Sequence, residues 1–197
     1  MRDIFELEKH TQIDRSQSYI RSYPHLISWF SERERLAGAD VTCAAHMVYG
    51  WMPTILELHA TDGFGVDDAA VLLNTARSEG RLNDQAITQL AGLVNRSVVG
   101  ASKLLHFLCP DTFAIWDSRI YRFLYQKAPH QYRVNNVREY QGYLELLRNL
   151  HRDARFPAFH ASINEKMGYP VSALRALEIV MFQHAVLSEV PADPGYV

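Results

Sequence analysis

Asp117 closes a short apolar run, Phe113-Ala114-Ile115-Trp116, and stands directly before the helix that Ser118, Arg119, Ile120, Tyr121, Arg122 and Phe123 begin. A carboxylate at such a junction accepts the free N–H groups of the first helical turn and feels the positive end of the helix dipole. Capping alone is worth about 1 kcal/mol and implies no chemistry. The apolar and aromatic residues just before Asp117 add something: they keep it partly dry, and a carboxylate held ionised by its cap in such a place has its charge felt strongly.

A second junction lies some twenty residues earlier. Leu90, Ala91, Leu93 and Val94 end an amphipathic segment, Asn95, Arg96 and Ser97 are turn formers, and Gly100 is expected to supply positive φ. Leu104, Leu105, Phe107 and Leu108 follow as an apolar run of helical length. A helix, a tight turn and a second helix expose backbone N–H groups at the start of the second helix, which is a ready phosphate site.

Together, Val99-Gly100-Ala101-Ser102-Lys103 and Phe113 to Arg122 resemble the helix-hairpin-helix DNA glycosylase superfamily. The resemblance covers residues 97–123 and implies an all-α, two-lobed helical fold with a cleft between the lobes. It implies one domain over 1–197, with a hairpin lobe at roughly 40–125 and a second lobe from 1–39 plus 126–197. In that family the hairpin amides grip a DNA phosphate, often with a bound monovalent cation, and the Asp assists departure of a flipped base. Carried onto this chain, Asp117 is the catalytic carboxylate and Lys103 the candidate amine for strand cutting. Arg96, Val98, Gly100, Ser102, Arg119, Arg122 and Lys127 would contact DNA. The hairpin has one glycine where the family usually has two, and Ser102 occupies the place expected for the lysine, with Lys103 one position on. A DNA N-glycosylase is therefore expected, monofunctional and monomeric, acting on duplex DNA that carries a modified or damaged base, in base-excision repair or in defence against modified phage DNA. No cofactor is required beyond the hairpin cation.

Charge distribution supports a nucleic-acid face. The net charge is only −2, but Arg96 to Arg138 holds seven bases against two acids, which leaves −7 on the remainder. His46, Tyr49, Trp51 and Met52 cluster beside Pro53, and with Trp116 they are candidates for a base pocket, although aromatics so placed are more often core.

Other chemistry loses support. Arg155-Phe-Pro-Ala-Phe-His160 has the Arg-x4-His spacing that resembles the helical HEPN ribonucleases, but Pro157 lies inside it. A non-catalytic helical module binding DNA or protein is a further alternative. The nine histidines show no metal-binding spacing, and there is no P-loop, dinucleotide fingerprint or nucleophile elbow. Cys43 and Cys109 are too few for a disulfide framework, a zinc site or a four-cysteine cluster, and are expected to be buried free thiols. The charged start and the lack of a membrane-length apolar run lead to the expectation of a cytoplasmic protein with no membrane partner.

The scaffold reads as helices throughout. They are expected at Ser16–Ser22, Pro24–Leu36, Asp40–Ala60 with a break at Pro53, Val66–Ser78, a helix capped by Asn83, the two around the hairpin, Val137–His151 and Pro170–Val190. Thr112–Trp116 reads as a β-like run, Tyr125–Val134 as irregular, and Arg155–Gly168 as a short segment.

Overall fold

A computed structural model describes residues 2–51 and 54–185; Met52, Pro53 and the segment after 185, including the end of the last expected helix, lie outside the described residues. The chain is all-α. Among the described residues eleven helices run in the order α1 Ile4–Lys9, α2 Ser18–Ser31, α3 Gly38–Trp51, α4 Val66–Glu79, α5 Asp84–Leu93, α6 Val98–Leu108, α7 Ser118–Tyr125, α8 Gln131–Val134, α9 Val137–His151, α10 Phe156–Met167 and α11 Ala173–Gln183. Among the described residues there is no strand, only the isolated bridges Leu58 to Val94 and Thr61 to Phe64.

Local chemistry sets most boundaries. Asn83, Ser97, Asp117, Asn136 and Ser172 each turn a side-chain oxygen onto a first-turn amide. Gly80 (φ 64°) and Gly168 (φ 82°) end α4 and α10 in the left-handed region. One connected apolar core runs from Ile4 to Met181. Two helices organise it: α6 packs against α2, α3, α4 and α5, and α11 against α1, α7, α9 and α10.

Several expectations are corrected. Pro24 does not separate two helices but lies inside α2. A proline there removes the donor that would reach the Ile20 carbonyl, and the Tyr169 hydroxyl supplies it instead, at 2.6 Å. Residues 54–60 are not helical: His59 N–H donates to Leu93 O, Asn95 N–H to Glu57 O, and the Asn95 amide also engages Glu57 N–H and Ile55 O. The segment is thereby laid along the hairpin turn. One short helix, α8, forms within the stretch expected to be irregular, and α10 runs twelve residues because Pro157 sits in its first turn, where no amide is missed. Cys43 is exposed and Cys109 half-buried, with its thiol pushed up to about 11 by burial.

The hairpin turn is not made by its glycine. Asn95 (φ 52°) and Arg96 (φ 49°) take the left-handed conformation, and Gly100 lies within α6 at negative φ. What Gly100 allows is close approach, because a Cβ there would overlap the Tyr49 hydroxyl and stand 3.0 Å from its Cζ. Gly100→Ala is therefore expected to lower stability by about 1–3 kcal/mol, the usual cost of overpacking. Tyr49→Leu should recover part of that loss in a double variant. Urea-denaturation midpoints check it, and an unshifted midpoint for the single variant would mean that Tyr49 moves aside freely.

Candidate functional site

The linker between α6 and α7 carries Asp117, and how it is held decides where the carboxylate points. Phe113, Ala114, Ile115 and Trp116 are buried, yet they form no strand, so their backbone groups need partners from side chains. His106 Nδ1–H donates to Phe113 O at 2.8 Å, Tyr140 Oη–H to Ala114 O at 3.2 Å, and Trp116 N–H to Ser102 Oγ at 3.1 Å. The Trp116 indole N–H reaches Val134 O at 2.8 Å. His106 is fully buried and also accepts from the Tyr23 hydroxyl at 2.8 Å. Burial drives its pKa down to about 3, which keeps the ring neutral and fixes the tautomer that holds Phe113.

Asp117 emerges from this clamp half-buried. Its Oδ1 accepts from Arg119 N–H at 2.9 Å and from Ile120 N–H at 3.0 Å, so the carboxylate is fixed at the start of α7. Two cavities of ≈ 560 Å³ each open on either side, and Asp117 and Lys103 line both. The first is walled by Tyr19, Trp51, Ile115 and Phe182, together with Arg119 and two further charged side chains of α11, Arg175 and Glu178. The second runs along the hairpin past Tyr49, Ser97, Gly100 and Asn135.

Lys103 lies one turn into α6, its Nζ 5.9 Å from the Trp51 ring centroid. Burial lowers its pKa, the carboxylates of Asp117 and Glu178 pull it back up, and Arg175 pushes it down again. The Lys103 amine thus sits in the electrostatic field of Asp117, although in the sequence register Ser102 occupies the place expected for the lysine. Ser102 itself is wholly buried, spent on the linker and on Val99 O, and cannot touch DNA. An α-helix presents every third or fourth residue to one side, so shifting by one position exchanges a groove-facing side chain for a core-facing one.

Arg175 and Glu178 are the groups that sequence reasoning missed. Both are about 1 % exposed and are ion-paired with each other on α11. Burial pushes the Glu178 carboxyl up to about 7, and Arg175, which pulls it down, does not overcome this. Two ionisable side chains three apart inside the otherwise apolar run Leu174 to Phe182 were the signal available.

The remaining candidates divide. Arg96, Arg119 and Lys127 are exposed and Arg122 is half-buried; Arg119 lies 4.4 Å over the Phe182 ring beside the first cavity, and Arg96 lines a separate surface hollow with Tyr132 and Arg138. Val98 is buried, and its amide donates to Asn135 Oδ1 at 3.2 Å, while Gly100 N–H is taken by Ser97 Oγ at 3.2 Å. A phosphate at these amides would have to displace both side chains. Among the pocket candidates, Trp51 lines the first cavity and the buried Tyr49 the second. His46 is exposed, engages Thr42 O and lines neither, and Trp116 is wholly buried core. Arg155 is held by Asp153 and Asp3, and His160 Nε2–H donates to Val171 O at 2.7 Å, and neither lines either cavity. Compared with protein-family models, curated proteins and solved structures, the chain finds no match.

Proposed function

We propose that this chain is a DNA N-glycosylase that grips duplex DNA, draws one modified or damaged nucleotide out of the stack into the groove between two helical lobes, and releases its base. The observation that carries the reading is the shared mouth: a carboxylate fixed by two backbone amides and a partly dried amine border the same two cavities. In the proposed step the N-glycosidic bond breaks with its electron pair leaving on the base. The ionised Asp117 steadies the positive charge that grows on the sugar, and water completes the reaction at C1′. Flipping costs a few kcal/mol, least for a damaged or poorly paired base. Arg96, Arg119 and Lys127 supply phosphate contacts in this reading, which calls for no cofactor beyond the hairpin cation.

A panel of duplexes, each with one modified base and scored for abasic sites, tests the proposal; no base release from any duplex would sink it. Lys103 widens the reading to strand cutting, because an amine with a lowered pKa is free of its proton more often and, once the base has left and the sugar ring has opened, can add to the C1′ aldehyde and expel water to form an imine. Borohydride is expected to trap a covalent protein–DNA adduct with the wild-type chain. Lys103→Ala should lose the adduct and keep base release; trapping that survives the substitution would clear Lys103.

A further inference from the structure

The first cavity contains an unanswered donor pair. Arg175 is about 1 % exposed and lines this cavity, its guanidinium 4.8 Å over the Tyr23 ring, yet among the described residues only its Nη1 has a hydrogen-bond partner, Glu178 Oε2. Nε and Nη2 are buried without any hydrogen bond among the described residues. Those two nitrogens form the side-on fork of a guanidinium, two parallel donors that fit two adjacent acceptors on a flat ligand or an anion. Buried donors in native proteins are nearly always satisfied, so an unpaired fork on a side chain that lines a cavity is an observation that points to a ligand.

The rest of the wall favours a flat ring over a small anion. Trp51 is pinned by its indole N–H to Tyr19 O at 3.0 Å and meets the Tyr19 ring edge-on at 6.1 Å. Phe182 continues the surface from Tyr19 at 6.0 Å. Around this cavity Lys103, Arg119 and Arg175 stand against Asp117 and Glu178, so it is the aromatic walls rather than charge that favour a flat ring, and inorganic phosphate is the competitor to test. Its volume falls within the range of small-molecule pockets.

We infer that this cavity receives the flipped base and selects 6-oxopurines whose N7 carries no proton, such as hypoxanthine or guanine, through the Nε/Nη2 fork of Arg175 on O6 and N7. This rests on the reading of the chain as acting on a flipped nucleotide, and it names the base. An arginine fork on these two atoms is the commonest base-specific contact in DNA recognition. Adenine presents a donor at position 6, 8-oxoguanine carries hydrogen on N7, and thymine and uracil have no two adjacent acceptors, so each leaves one or both nitrogens unanswered.

Binding of free 2′-deoxynucleosides to the wild-type chain, followed by tryptophan fluorescence and ligand-observed NMR, tests the inference without requiring catalysis. Deoxyinosine and deoxyguanosine are expected to bind about tenfold or more tightly than deoxyadenosine, 8-oxo-deoxyguanosine or thymidine. Arg175→Lys, which keeps a cation for Glu178 and removes the fork, should bring that preference below about threefold; if the variant does not fold, the wild-type panel decides alone. Equal binding of deoxyadenosine or 8-oxo-deoxyguanosine, no binding of any nucleoside, or displacement of deoxyinosine by inorganic phosphate would each overturn the inference. Should 6-oxopurines bind selectively while no duplex releases a base, the selectivity stands and the glycosylase reading falls. Release of pyrimidines from duplexes with no nucleoside preference would overturn the selectivity and leave the glycosylase reading standing.

Discussion

Asp117→Asn is expected to leave the fold and DNA binding intact while lowering base release by about 10²–10³-fold, the usual effect of removing one preorganised electrostatic group from a transition state. Asparagine retains the oxygen that accepts from Arg119 and Ile120 N–H and is as good an N-cap as aspartate. Only the charge at the helix start goes, which costs about 0.3–1 kcal/mol of stability. The sugar cation, by contrast, loses its counter-charge. Asp117→Ala should be equally inactive and lose a further ~1 kcal/mol with the cap, so the two variants separate a structural from a catalytic contribution. The substitution also removes a charge that raises the pKa of both Lys103 and Glu178, so both should titrate lower in the variant. Rates come from abasic-site formation under single-turnover conditions and stability from urea denaturation. Base release by Asp117→Asn at the wild-type rate would leave Asp117 with its capping role alone.

How much of this could be read from the chain itself depended on the range of the interaction. Asn83 and Asp117 marked their helices because a cap acts within three residues, and the Val137–His151 spacing defined α9 to the residue. Pro24 misled because its missing donor is replaced by Tyr169, some 150 positions away. Gly100 misled because its partner is the Tyr49 hydroxyl rather than a turn. Ser102 and His106 read as one residue of the hairpin motif and one unremarkable histidine, and turned out to be the clamp that lets a buried, strandless linker satisfy its backbone. The electrostatic centre was the least legible part. Lys103, Asp117, Arg175 and Glu178 come from α6, the α6–α7 linker and α11, and only the packing of α7 on α11 brings them to one cavity.

Arg175→Met carries the largest expected stability effect. It leaves the Glu178 carboxyl buried and unpaired, and breaking a buried pair from one side costs about 3–5 kcal/mol. Two of the arginine's donors already lack partners, and losing them offsets part of this. Arg175→Met with Glu178→Met should recover most of it, since an apolar pair of similar volume is often as stable as a buried ion pair. The penalty must also depend on pH. Glu178 titrates near 7 in the folded chain, above its ordinary value, so the folded state holds a proton that the unfolded state has released. Its contribution is therefore fully present below the unfolded pKa and is lost as pH rises towards 7. Without Arg175 the folded pKa moves higher still, and the loss continues above 7. His106 runs the other way: its folded pKa of about 3 lies below the unfolded value, so its contribution is lost as pH falls. Because His106 is common to both proteins, it cancels in the difference between variant and wild type. Arg175→Met should accordingly lie closest to wild type near pH 5 and furthest from it near pH 8, and Glu178→Gln on the same background should remove the trend. Urea midpoints at the two pH values measure it, and a deficit equal at both would mean that Glu178 never takes its charge in the fold.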